Sequence, residues 1–174
     1  MSKDPENYVY TLFMCLAEIE KVTANLYSRI SKKVNDEYIS NIFDFISFDS
    51  TKHYMIFKNY ARSFGYKKGD IEKNCSYLLG EFYRMSISLV DEIYESIKNK
   101  RRIPLEMLIG IVNELVSYEG KIGEEYVTEI VTKLMIDIGN LDKGVKRVLE
   151  LINEDENRHV SLLKEVLGYL GKKK

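Results

Sequence analysis

The chain has only two histidines, His53 and His159. His159 closes the run Glu156-Asn157-Arg158-His159. On a helix, residues three apart share a face, so this carboxylate and imidazole aim at one point. Alone, such a spacing arises easily by chance in a glutamate-rich chain. It gains weight because polar residues interrupt apolar lines elsewhere too. Glu119 continues the line Leu105, Leu108, Val112, Leu115 and is followed by Ile122 and Tyr126. His53 falls between Ile46 and Phe57, and Glu20 lies at the edge of a face with Leu16, Thr23 and Tyr27. Glu18, in line with Met14, Lys21 and Asn25, should instead face water. A lone buried carboxylate costs several kcal/mol unless it is paired, protonated or bound to a metal. Two imidazoles among inward carboxylates suit iron or manganese, and also zinc.

These residues need long helices to hold them, and the apolar periodicity supplies them. Leu12, Leu16, Ile19, Thr23, Leu26 and Ile30 recur at steps of three and four, predicting a helix from Tyr8 to about Lys33. Val34-Asn35-Asp36 breaks the pattern, with Asp36 placed to cap the next helix. That second helix runs to about Phe64 on Ile39, Ile42, Phe43, Ile46, Phe57 and Tyr60, and Gly65 ends it. A polar segment, 66–74, precedes a helix over about 76–100 carrying Leu79, Phe82, Leu89, Ile93 and Ile97. Its basic end, Lys98 to Arg102, suits a helix C-terminus. Pro104 opens another helix in the favoured first turn, which continues to about Ile138. The last runs from about Asp142 to Leu170 on Val145, Val148, Ile152, Leu163 and Val166. No segment alternates with the period of a half-buried strand. The expected class is all-α, one domain over 1–174, with four long helices and a fifth in the middle connection.

The two halves resemble each other. Glu20 is followed seven residues later by Tyr27, and Glu119 seven residues later by Tyr126; two helical turns keep each pair on one face. Ser50-x-x-His53 in the first half corresponds to Glu156-x-x-His159 in the second. A glutamate from each of two helices plus Glu-x-x-His from each of two others is the inward ligand set of di-iron bundles. On these residues, together with Ile42-Phe43-Asp44, the sequence resembles the ferritin-like superfamily, closest to its rubrerythrin (erythrin-like) branch. The resemblance covers about 8–65 and 103–170 and leaves 66–102 unmatched. It implies an antiparallel four-helix bundle with the extra helix in the middle crossover, and a centre for two iron ions, with manganese or zinc as substitutes. Glu20 and Glu119 would be terminal ligands, His53 and His159 would each ligate one metal, and Glu156 would bridge. Tyr27 and Tyr126 would donate hydrogen bonds from behind the ligands. The implied activity is an oxidoreductase reacting with O2 or peroxide, with an electron donor in another molecule and a second copy of the chain as partner. Ser50 stands where a second bridging glutamate is expected. A mononuclear or non-redox site, or a helical interaction scaffold built on the 66–102 insertion, therefore remains open beside the di-metal reading.

Composition narrows the field. Lys and Arg total 26 against 27 for Asp and Glu, which excludes a basic nucleic-acid footprint. No apolar run is long enough for a membrane span. The start, Met-Ser-Lys-Asp-Pro-Glu-Asn, has no apolar stretch like a secretion signal, so a cytoplasmic location is the expectation. Cys15 and Cys75 lie far apart without a Cys-x-x-Cys pair, so neither a disulfide framework nor a rubredoxin-type iron site is expected. Cys15 reads as an inert core thiol. The chain lacks glutamine and is rich in Lys, Glu, Ile and Tyr, a bias of proteins from hot environments or AT-rich genomes. Plainer readings exist for each residue: a buried ion pair for the glutamates, a satisfied core imidazole for each histidine, and packing for Tyr27 and Tyr126.

Overall fold

A computed structural model describes residues 5–65, 71–120 and 143–173. Every described element is a helix, and no strand occurs among the described residues. The chain divides into two compact units, Met1–Arg101 and Arg102–Lys174.

The first unit is built on α1 (Pro5–Ser31) and α2 (Glu37–Ser63). The connection between them is short, as antiparallel neighbours require. Ile30 and Ser31 carbonyls accept from Val34, and the Asp36 carboxylate accepts from Ile39 N–H at 3.1 Å. That bond satisfies one of the donors a helix start leaves open, so the predicted cap is in place. Contacts then run in opposite senses along the pair. Ser31 and Ser40 hydroxyls lie 3.0 Å apart near the turn, Tyr27 packs on Phe43, Ser47 Oγ donates to Ala24 O, and Phe13 stacks on Phe57 at the far end. The predicted apolar positions of α1, from Leu12 to Ile30, are all buried. At the end of α2, Phe64 and Gly65 N–H groups reach back to Ala61 and Arg62 carbonyls. Gly65 sits at φ +83, a conformation that a side chain would strain.

The predicted helix over 76–100 is instead two. α3 (Ile71–Leu78) begins inside the segment read as polar connection, and α4 (Gly80–Ile97) follows after a break at Gly80, φ +56. The buried face of α4 also differs in part from the expected one. Tyr83, Ser86, Val90, Ile93 and Ile97 are inside, whereas the expected Leu79, Phe82 and Leu89 are half-buried. The expected Ile93 and Ile97 do lie inside, but Phe82 and Leu89 stand one position from the buried Tyr83 and Val90, so apolar type alone displaced part of the stripe within α4. α4 runs alongside α1 in the same sense: Tyr83 joins the Cys15 cluster, the Arg29 guanidinium lies 4.7 Å over Tyr94, and Lys33 Nζ donates to the Lys98 and Lys100 carbonyls. That last contact places a cation on the carbonyl end of α4.

The cysteine expectation is overturned. Cys15 and Cys75 form a disulfide, both fully buried, with Cα atoms 5.3 Å apart, within the range such bridges span. The bond joins α3 to α1 amid Ile19 and Tyr83. Sixty residues of sequence separation conceal the pairing, because only the return of α3 onto α1 brings the sulfurs together.

The second unit holds α5, helical over 105–120, and α6 (Lys143–Gly171). The Pro104 carbonyl accepts from Leu108 N–H, opening α5 where predicted. Leu108, Val112, Leu115 and Glu119 are buried, while Leu105, expected inside, is exposed at the first turn. The predicted course of this helix beyond 120, including Ile122, lies outside the described residues. α6 buries Leu149, Ile152, Glu156, His159, Leu163, Val166 and Leu170, an unbroken three-four rhythm in which Glu156 and His159 hold core positions.

Candidate metal centre

In the second unit, Glu119 comes from α5 and Glu156 and His159 from successive turns of α6. All three are inside the protein: Glu119 is 1% exposed, Glu156 3% and His159 0%. His159 Nδ1 lies 3.3 Å from a Glu156 carboxylate oxygen and 3.7 Å from one of Glu119. One ligand atom from each residue falls within 4.8 Å of the other two. Direct charge-assisted hydrogen bonds between nitrogen and carboxylate are shorter, about 2.7–2.9 Å. Ligands about 2.0–2.2 Å from a shared ion, at angles of about 90–120°, are separated by about 2.8–3.8 Å. Separations of 3.3 and 3.7 Å lie within that second range. The donor set therefore fits a divalent transition ion, with two oxygens and one nitrogen converging from two helices.

The electrostatics agree. Burial first, and then the neighbouring Glu156 carboxylate, push Glu119 up to about 8 from 4.5, while the facing His159 imidazole pulls it back down. Two adjacent buried carboxylates cannot both stay ionised cheaply without a cation, so in its absence a proton takes that place. The folded chain then keeps on Glu119 a proton that the unfolded chain releases above about pH 4.5. Metal-free protein should accordingly lose stability as pH rises from about 4.5 to about 8, by an amount on the order of a few kcal/mol, and level off above that. Urea unfolding in chelator across this range checks the slope. The Glu119→Gln variant should lack this contribution.

The first unit carries the shorter counterpart. His53 Nδ1 of α2 lies 3.6 Å from a carboxylate oxygen of Glu20 on α1, and both are buried. Ser50, one turn before His53, is buried as well, at the position where a glutamate was expected. Tyr27 is fully buried with its ring tilted on Phe43, centroids 5.9 Å apart. Tyr126 lies outside the described residues. Glu18 pairs with Lys21 at 3.2 Å on the surface, as its line on the helix required. The acidic and imidazole residues of the candidate donor groups among the described residues, Glu20, His53, Glu119, Glu156 and His159, are ones that the sequence also singles out.

Comparison with protein-family models, with curated proteins and with solved structures finds no match to this chain. The reading of the site therefore rests on its own chemistry.

Proposed function

We propose that this chain is a di-metal carboxylate protein, iron being the first choice of metal, that acts as an oxidoreductase toward O2 or peroxide. The observation that carries the reading is the buried convergence of Glu119, Glu156 and His159 at ligand-like separations. Those three would hold one ion, and Glu20 with His53 would contribute ligands for the second. The finer fold in this proposal is an antiparallel four-helix bundle of α1, α2, α5 and α6, with α3 and α4 in the crossover. A cytoplasmic location and an electron donor in another molecule belong to the same proposal. No helix among the described residues is long and apolar enough to cross a membrane.

When bound, iron would supply one-electron steps toward oxygen species. The chain's own part is to bind, neutralise and exclude water. Glu119 gives up its proton on loading, so ion uptake should strengthen with pH up to about 8. Leu115, Ile152 and Leu163, one helical turn from Glu119, Glu156 and His159 along their helices, are all buried. Tyr27 and Tyr126 are proposed to orient ligands by hydrogen bonds.

The test is anaerobic loading of chelator-stripped protein with Fe(II), metal counting, and then addition of O2 or peroxide. The expected result is two ions per chain and an absorbance change with consumption of the oxidant. Loading with no response to either oxidant would refute the oxidoreductase reading. The buried Ser50 favours a second reading, a mononuclear site in the second unit only. One ion per chain, rising to two in Ser50→Glu, would select it.

A further inference from the structure

Between α1 and α4 lies a cavity of about 140 Å³, entered past the exposed Asn25, Arg29 and Asp91. Its floor is apolar, with Leu26 and Val90 both buried. Its walls carry four polar side chains, Asn25 and Arg29 from α1 and Asp91 and Tyr94 from α4. The Arg29 guanidinium is held 4.7 Å over the Tyr94 ring. Opposite charges thus face one cavity from its two walls. Yet Arg29 and Asp91 form no ion pair with each other or with any other described residue. Neighbouring charges behave differently. Lys21 pairs with Glu18 and Lys98 with Glu95, each one turn away, and Glu92 accepts from Ser88 Oγ at 2.8 Å. The Asn25 amide also has no hydrogen-bond partner among the described residues.

We propose that this groove binds a small zwitterion of the α-amino-acid class. Its carboxylate would lie on Arg29, its ammonium on Asp91 and its aliphatic side chain on Leu26 and Val90. The proposal is independent of the metal reading and survives its failure.

Spacing supports this occupant. Asp91 stands one turn before Tyr94, over which Arg29 is held, an offset of about 4.5 Å along α4. An α-amino acid carries both charges on one carbon. With a charge-assisted hydrogen bond of about 2.8 Å at each end, it bridges two side chains that stand too far apart to pair directly. Charge narrows the class further. A simple anion would meet Asp91 and a simple cation would meet Arg29, a like charge in either case, so the pair rejects both. Size sets the other bound. The volume equals that of about five waters at about 30 Å³ each, which suits valine and excludes a nucleotide or an extended peptide. A few placed polar groups over an apolar floor is the usual make-up of a small-molecule site.

The test is titration of the 15N-labelled native chain with L-valine at low ionic strength. Amide signals of 22–29 and 90–94 should shift and saturate in the millimolar range, as expected of a ligand with about eight non-hydrogen atoms. N-acetyl-L-valine lacks the ammonium and L-valinamide lacks the carboxylate. Each should bind about 10-fold more weakly, or less, for want of one charged hydrogen bond. Arg29→Gln and Asp91→Asn should weaken L-valine binding by a similar factor with unchanged helical circular dichroism, since both side chains are exposed. No saturable shift at tens of millimolar L-valine would overturn the proposal. So would equal binding of either blocked analogue, or native affinity in either folded variant. Should a variant lose its helical signal, the two analogues on the native chain decide the matter.

Discussion

Glu119→Gln is expected to move metal affinity and metal-free stability in opposite directions. The substitution keeps the shape of the side chain and removes an anionic ligand from a three-donor set. Metal affinity should fall about 100-fold or more, since each ligand of a structural site contributes roughly 3 kcal/mol. In chelator at pH 8–9, by contrast, the variant should be more stable than the native chain by about 1–3 kcal/mol. There the native Glu119 is losing the proton it holds up to about pH 8, beside the Glu156 carboxyl group and out of reach of water. Isothermal titration with Mn(II) or Fe(II), and urea unfolding in chelator, measure the two effects. A carboxylate kept for structure alone gives the other pattern, with stability lost and nothing to lose in metal binding. Sites retained for function commonly show this opposition between activity and stability.

Breaking the Cys15–Cys75 bond is expected to destabilise the first unit by about 4 kcal/mol, the loop-entropy value for a closed loop of about 60 residues. The double variant Cys15→Ala with Cys75→Ala, and the native chain under strong reductant, should agree. Loss should concentrate in α3, which is only eight residues long and too short to hold itself as an isolated helix. Hydrogen exchange should therefore show faster opening of α3 than of α1 or α2 once the bond is gone. Equal midpoints with and without reductant, with thiol labelling proving reduction, would count against the assignment. Disulfides persist in oxidising compartments and in intracellular proteins of hyperthermophiles, so the bond on its own names no compartment.

The long helices were legible because their faces are written in a single rhythm. α6 is the clearest case, since Glu156 and His159 substitute for apolar residues without disturbing the steps on either side. The inward direction of Glu119, and of His53 between Ile46 and Phe57, followed from the same geometry. What escaped was fixed by contacts distant in sequence or by one backbone angle. Gly80 split a helix that hydrophobic spacing showed as continuous, and the partner of Cys15 depended on the path of α3. The outward turn of Phe45 and Phe48 on α2 was hidden for another reason. Both stand next to buried positions in the sequence, and apolar type alone does not tell which of two neighbouring faces turns outward.

The central claim, that buried carboxylates and an imidazole form a metal site, is tested most directly by anomalous diffraction from crystals soaked in Mn(II) or Fe(II). The account expects a peak bonded at about 2.0–2.2 Å to Glu119, Glu156 and His159 Nδ1, weakened or absent in Glu119→Gln. A soaked crystal with no peak at those side chains, and Glu119 instead hydrogen-bonded to Glu156 or His159 as a neutral acid, would contradict it.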